Sequence, residues 1–315
     1  MTDDKMTTSS AKILLFGEYT VLLNNQALSI PYAKLSGDLR MAGGELNDVQ
    51  RGSNKDLADF HDFMHSVRST WKKPFSIDLE QMGEELKQGL YFDCNIPVGY
   101  GLGSSGALVA AVYRKYGKQK GADYFVEQGL LKELQIFFAS IEAFFHGKSS
   151  GLDPLVSFIG SPLQLRGEKD IRIVTVRWDL HTGKGGLFLV DSGTLCETGP
   201  LVSNFRERYE DPGFRKLILD QYMPLVNAAI SHYVNSASGE LLSTMRDLSA
   251  FQLENFGHLI PEEMAILWKS GLENGLYAMK LCGSGGGGMF LGFTADMERT
   301  AGMIREHPVM TVHRL

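Results

Sequence analysis

The run Pro97-Val-Gly-Tyr-Gly-Leu-Gly-Ser-Ser-Gly106 follows Leu90–Ile96, which reads as a strand, and leads into Ser105–Tyr116, an alanine- and valine-rich segment that reads as a helix ending at Gly117. Glycines at a strand-to-helix junction let the backbone turn tightly and aim unpaired N–H groups at an anion, which the helix dipole also favours. No Gly-Lys-Ser/Thr follows, so this is not a Walker A loop; the spacing Gly101-x-Gly103-x-x-Gly106 does fit the dinucleotide pattern. That pattern expects a second parallel strand soon after the helix, ending in an acid about 20 residues on, whereas Gly117–Asp123 is a polar loop leading into another helix. Ser104 and Ser105 suit phosphate and metal contacts, with ordinary N-capping as the alternative.

Outward from this run, Ala11–Gly17 reads as a buried strand and Glu18–Leu23 as its partner after the Gly17 turn. Phe125–Phe145 has the length and apolar density of one buried helix, and a second helix is expected near Ser150. Ile171–Trp178 and Gly186–Val190 read as strands, followed by helices around Phe214–Tyr233, Leu241–Phe256 and Glu262–Gly271 and a strand–glycine–strand unit at Tyr277–Phe293. The fold class is α+β with two domains, 1–178 and 179–315.

A chain of 315 residues with 43% hydrophobic and 22% charged content is ordinary for a globular protein. Its net charge of −6 and pI near 5.8 argue against a nucleic-acid partner, though a small anion remains compatible with backbone amides and one or two lysines. With no secretory signal and no apolar run of about 18 residues, no membrane partner and a cytoplasmic location are expected. Cys94, Cys196 and Cys282 are far apart and outside any Cys-x-x-Cys spacing, and read as reduced, mostly core thiols.

Glu142 sits in Ile136-Phe-Phe-Ala-Ser-Ile-Glu-Ala-Phe-Phe145, where a buried charge needs a cation: Mg²⁺ beside nucleotide phosphates, or a structural lysine or arginine. Asp153, eleven residues on, falls in a new helix's first turn, where Ser150-x-x-Asp153 also matches a capping box. Lys12 interrupts an apolar strand and can neutralise phosphate or simply be a solvated edge residue. Gly283-Ser-Gly-Gly-Gly-Gly288 is a second place where backbone can approach a ligand, or a hinge.

Taken together, Lys12-Ile-Leu-Leu-Phe-Gly-Glu18, Pro97–Gly106 and Gly283–Gly288 resemble, in order, the three motifs of the GHMP kinases. Glu142 followed by His146-Gly and Ser150-Gly-Leu-Asp153 is similar to the mevalonate kinases within them. The resemblance implies a ribosomal-protein-S5-like N-terminal domain, a ferredoxin-like C-terminal domain, ATP and Mg²⁺ as cofactors, and transfer of the γ-phosphate to a small-molecule alcohol, mevalonate first. Phosphomevalonate or a sugar is the alternative acceptor, and a non-catalytic nucleotide-binding regulator the alternative class. It implies Asp153 and Lys12 as catalytic, and Ser105 and Glu142 as metal ligands. Pro97, Gly99, Gly101, Leu102, Gly103, Ser104, Ser105 and Gly106 would bind nucleotide, and Glu18, Tyr19, Ser150, Gly285 and Gly286 the acceptor. Two departures stand out: Tyr19 occupies a position usually histidine in mevalonate kinases, and Lys148-Ser149 a stretch that is usually less basic and often contains proline. A homodimer is compatible with the sequence.

Overall fold

The computed structural model describes residues 8–119, 121–167, 170–176, 183–195 and 198–315. The chain forms two compact, interleaved units: one of residues up to Lys12, Pro31–Val98 and Leu102–Ser161, the other of Ile13–Ile30, Gly99–Gly101 and Pro162–Leu315. No single cut, at 178 or elsewhere, reproduces this division. Strands β1 (Ser9–Phe16) and β2 (Ala27–Met41) each contribute to both.

In the first unit, β2 is followed by α1 (Asp48–Val67), α2 (Leu79–Lys87), β3 (Leu90–Cys94), α3 (Ser104–Tyr116), α4 (Ala122–Glu127), α5 (Leu131–His146) and α6 (Leu152–Ile159). β2 and β3 pair antiparallel from Gly37↔Cys94 to Met41↔Leu90. Helix α1 opens on a capping box, Asn47 with Gln50, that satisfies two of its free N–H groups. The core centres on α3, buried from Gly106 to Tyr113, with Tyr113 edge-on to Phe138 and Phe158 at 5.3 and 5.4 Å between ring centroids. The apolar segment Phe125–Phe145 is two helices rather than one: Gly129 adopts φ 66° and Leu130 N–H closes onto the Phe125 carbonyl at 2.8 Å, a turn that periodicity alone does not reveal.

The second unit continues with β4 (Leu163–Arg166), β5 (Asp170–Ile173), β6 (Gly186–Asp191), α7 (Thr198–Tyr209), α8 (Pro212–Leu217), α9 (Met223–Val234), α10 (Ser238–Asn255), α11 (Glu262–Asn274), β7 (Tyr277–Leu281), β8 (Met289–Thr294), α12 (Met297–Met303) and β9 (Val309–Arg314). A π-helical turn, Ile218–Tyr222, joins α8 to α9. β4 pairs with β5 and with Ala27–Ser29 of β2, and β7-β8-β6-β9 form an antiparallel sheet. Trp268 of α11 packs on Phe290 of β8 and donates its indole N–H to Ser249 of α10 at 2.6 Å, so its polar edge is satisfied while its ring is buried. The expected strand at Glu18–Leu23 is instead a 3-10 turn over Thr20–Leu23, closed by Asn24 at φ 60°; the Asn24-Asn25 pair favours a turn over the apolar pattern. Residues 177–178 of the expected strand Ile171–Trp178, and Cys196, lie outside the described residues. Cys94 is a half-buried free thiol, and Cys282 is buried. Among the described residues no helix is long and apolar enough to cross a membrane.

Candidate active site

Lys12 is anchored where β1 meets the glycine loop, its N–H donating to the Leu102 carbonyl at 2.9 Å. Its ammonium lies 3.1 Å from Asp153 Oδ2, with the lysine side chain 8% and the aspartate side chain 31% exposed. A strand lysine and the first turn of α6 are thus joined, and Asp153 does not cap its helix. The N-cap is Gly151, with no side-chain hydrogen bond, while Ser150 Oγ accepts from Leu152 N–H at 3.2 Å in a local turn. Ser150 itself is exposed, its carbonyl accepting from Gln135.

The loop glycines serve close approach as much as flexibility. Gly103, at φ 74°, is the N-cap of α3; a Cβ there would fall 2.9 Å from Lys12 Cγ and 3.4 Å from Asp153 Oδ2. Gly106 is packed against α6, where a Cβ would sit 2.8 Å from the Asp153 backbone carbon. The first turns of α3 and α6 therefore meet with no side chain between them, and both dipoles favour an anion there.

Glu142, on α5, is 3% exposed. Ser105 donates its hydroxyl to Oε1 at 3.1 Å and Ser149 donates to Oε2. Burial, helped by the nearby Asp153 charge, pushes the Glu142 carboxyl up to about 7, against the opposing pull of the two hydroxyls and Lys12. The two serines and two carboxylates form an oxygen-only donor set, which fits Mg²⁺, an ion that takes one or two protein carboxylates and completes its shell with water and phosphate. Among the described residues no group of three His, Cys, Asp or Glu forms a metal cage. A hollow of about 640 Å³ between α1 and α2 is lined by His61, His65 and Lys87, but by none of Lys12, Ser105, Glu142 or Asp153.

In the second unit, Gly99–Gly101 lie on the second glycine motif. Tyr100's carbonyl accepts from Met289 N–H at 3.4 Å, and Cβ atoms on Gly101 or Gly288 would come within 3.0 Å of the Cys282 carbonyl or 2.9 Å of the Tyr100 backbone. Gly285 is pressed onto Leu259, and Gly286 N–H donates to the Leu259 carbonyl at 2.6 Å. Glu18 is 1% exposed and ion-paired with Lys280. Tyr19, 4% exposed, donates its hydroxyl to the Ser284 carbonyl at 2.5 Å.

Residues 72–161, which span the glycine loop, Glu142 and Asp153, match the family model "GHMP kinases N terminal domain". This stretch is similar to the N-terminal domain of that family. A mevalonate kinase of Thermococcus sibiricus is 25% identical over 309 residues, covering 90% of this chain and 87% of that one. The L. major mevalonate kinase solved in complex with R-mevalonate superposes with TM-score 0.65 at 16% identity, over 96% of this chain and 91% of that one. Streptococcus pneumoniae phosphomevalonate kinase, in complex with phosphomevalonate and AMPPNP, has TM-score 0.60 at 12% identity, over 97% and 99%. The fold is that of the two-domain GHMP kinases.

Against the motifs of that family, Lys12, Gly103, Ser105, Gly106, Glu142 and Asp153 gather at one place in the first unit. Leu102 is fully buried, with its carbonyl accepting from Lys12 N–H. Glu18 pairs with Lys280, and Tyr19 donates its hydroxyl to the Ser284 carbonyl. Sequence reasoning missed Ser149 and Lys280. The signal for Lys280 was available, since it interrupts Tyr277-Ala-Met-Lys-Leu281 as Lys12 interrupts its own apolar strand.

Proposed function

We propose that this GHMP kinase transfers the γ-phosphate of ATP to the hydroxyl of mevalonate, giving 5-phosphomevalonate, as a cytoplasmic enzyme of isoprenoid synthesis. The observation that carries the reading is the Lys12–Asp153 pair at 3.1 Å, set under the glycine-lined start of α3. Asp153, partly open to solvent, accepts the acceptor's hydroxyl proton; Lys12 orients that carboxylate and offsets the charge that develops on the acceptor oxygen. The amides of Gly103–Gly106 and the α3 dipole take the phosphates. Ser105 and Glu142 would hold Mg²⁺, which when bound neutralises the phosphoryl oxygens. Mevalonate is favoured over other alcohols by the names of the relatives similar over nearly the whole chain.

The test is ADP release with mevalonate, phosphomevalonate and galactose, each with and without Mg²⁺, alongside Asp153→Asn. Mg²⁺-dependent turnover on mevalonate is expected, with Asp153→Asn losing at least about 10³-fold in kcat while nucleotide affinity stays near wild type. Turnover on phosphomevalonate or galactose alone would reassign the acceptor, and a variant that keeps most of its rate would remove Asp153 from the chemistry.

A further inference from the structure

Lys280 has no exposed surface, and neither does the side chain of Glu18 with which it pairs. Fully buried lysines are rare and require compensation. Here it comes from a closed circuit within the second unit. Lys280 Nζ donates to Glu18 Oε1 and, at 2.5 Å, to the Leu281 carbonyl. Leu281 N–H donates to Gln252 Oε1 at 2.8 Å, and Gln252 Nε2 donates to the Tyr222 hydroxyl at 2.7 Å. Tyr222 returns to the Glu18 carbonyl at 3.4 Å. Five residues from β7, α10, the π-turn and the Gly17–Tyr19 corner are thus tied in a ring.

The ring ends on a strained residue. Tyr19 adopts φ 62°, a conformation that L-residues hold only where their surroundings over-determine it. Its ring is stacked on Phe205 at 4.6 Å and lies 5.5 Å from Phe256, and its hydroxyl reaches the Ser284 carbonyl inside the second glycine motif. Consecutive glycines have the greatest freedom to lose on ordering, so a motif held at one end by Lys280–Leu281 and at its tip by Tyr19 is set before any ligand arrives.

We propose that Lys280, Gln252 and Tyr222 are positioning residues: they fix the Glu18–Tyr19 corner so that the Tyr19 hydroxyl latches the loop Gly283–Gly288 in the shape that receives the acceptor. This rests on the reading of the chain as an alcohol kinase with Gly285 and Gly286 on the acceptor side. A latched loop spends less binding energy on ordering, so the latch acts on acceptor affinity rather than on the chemical step.

The experiment uses the full chain. Tyr19→Phe deletes only the latch hydroxyl, and the double variant Glu18→Gln with Lys280→Met neutralises the pair without leaving a single buried charge. Amide hydrogen exchange over residues 282–288 is measured with steady-state kinetics, and circular dichroism melting verifies folding. Loss of one hydrogen bond predicts about a fivefold rise in acceptor KM, with kcat and the KM for ATP within about twofold of wild type, and exchange in 282–288 at least about fivefold faster. Unchanged exchange in folded Tyr19→Phe overturns the latch, and faster exchange with an unaltered acceptor KM overturns its role toward the acceptor. If the double variant fails to fold, Tyr19→Phe decides alone. If wild type phosphorylates no alcohol, the kinase reading falls while hydrogen exchange still decides whether the latch exists.

Discussion

Two lysine–carboxylate pairs, one in each unit, start from the same sequence event and end in opposite environments. Lys12 and Lys280 each interrupt an apolar strand. Lys12 meets an aspartate whose side chain is 31% exposed, whereas Lys280 meets a glutamate as sealed as itself. A cation with one wet partner can exchange that partner's proton with a ligand; a cation sealed with its partner can only hold its surroundings in place. What separates chemistry from scaffolding is the access left to the carboxylate, more than the presence of the charge pair.

The largest expected effects come from removing each cation by itself. Lys280→Met leaves the Glu18 charge buried and uncompensated, at a cost of roughly 3–5 kcal/mol of folding stability. Lys12→Met leaves Asp153 still reached by water, so its stability should fall by no more than about 1 kcal/mol, while turnover drops about 10²–10³-fold. Urea denaturation and ADP release on the two variants check the contrast. Equal destabilisation by both would erase the distinction drawn between the pairs.

A middling effect is expected at Glu142, where function and stability pull apart. Its carboxyl is raised in the folded protein from the ordinary 4.5 to about 7. Between those values the unfolded chain has released a proton that the folded one still binds, so this group's contribution to stability declines as pH rises through the window and stays low above it. Glu142→Gln removes that penalty. At pH 8 without nucleotide the variant should be more stable by roughly 3 kcal/mol, at 1.36 kcal/mol per pKa unit, and the gain should vanish near pH 4. With Mg²⁺ and ATP the order should reverse, because a bound dication favours the carboxylate. Melting curves at pH 4 and pH 8 test this, and a variant less stable at pH 8 would mean that the carboxylate is not held at a cost.

What was legible in the sequence and what was not follows from locality. The glycine loop is read from its own spacing, and Glu142 from an acid within a uniformly apolar helix; both signals lie within a single segment. Asp153 carried an equally good local explanation as a capping residue, and only Lys12, distant in sequence, removes it. Lys280 is explained by Glu18, 262 positions away. Tyr19 needs Phe205, Phe256 and Ser284 before its positive φ makes sense. The break at Gly129 and the turn at Thr20–Leu23 were missed because an apolar period runs unbroken through a reversal of the backbone.

The smallest expected effect distinguishes how the first pair's neighbourhood is kept ready. Ser149 donates to Glu142 Oε2 and accepts from Gly151 N–H at 2.9 Å, so one hydroxyl joins the carboxylate on α5 to the turn that starts α6 and carries Asp153. Ser149→Ala keeps the charge and the fold but frees one oxygen of Glu142 to reorient. One such bond to a charged group contributes about 1.5–3 kcal/mol, which as lost preorganisation corresponds to roughly 10–100-fold weaker binding of Mn²⁺ with a non-hydrolysable ATP analogue. Electron paramagnetic resonance titration of Mn²⁺ reads this directly, and Ser149→Thr should recover most of it. Because Ser149 leaves the Glu18–Lys280 ring untouched, hydrogen exchange over residues 282–288 should not change. If it does, the two pairs are coupled, and the separation into a chemical and a scaffolding lysine must give way to a single network.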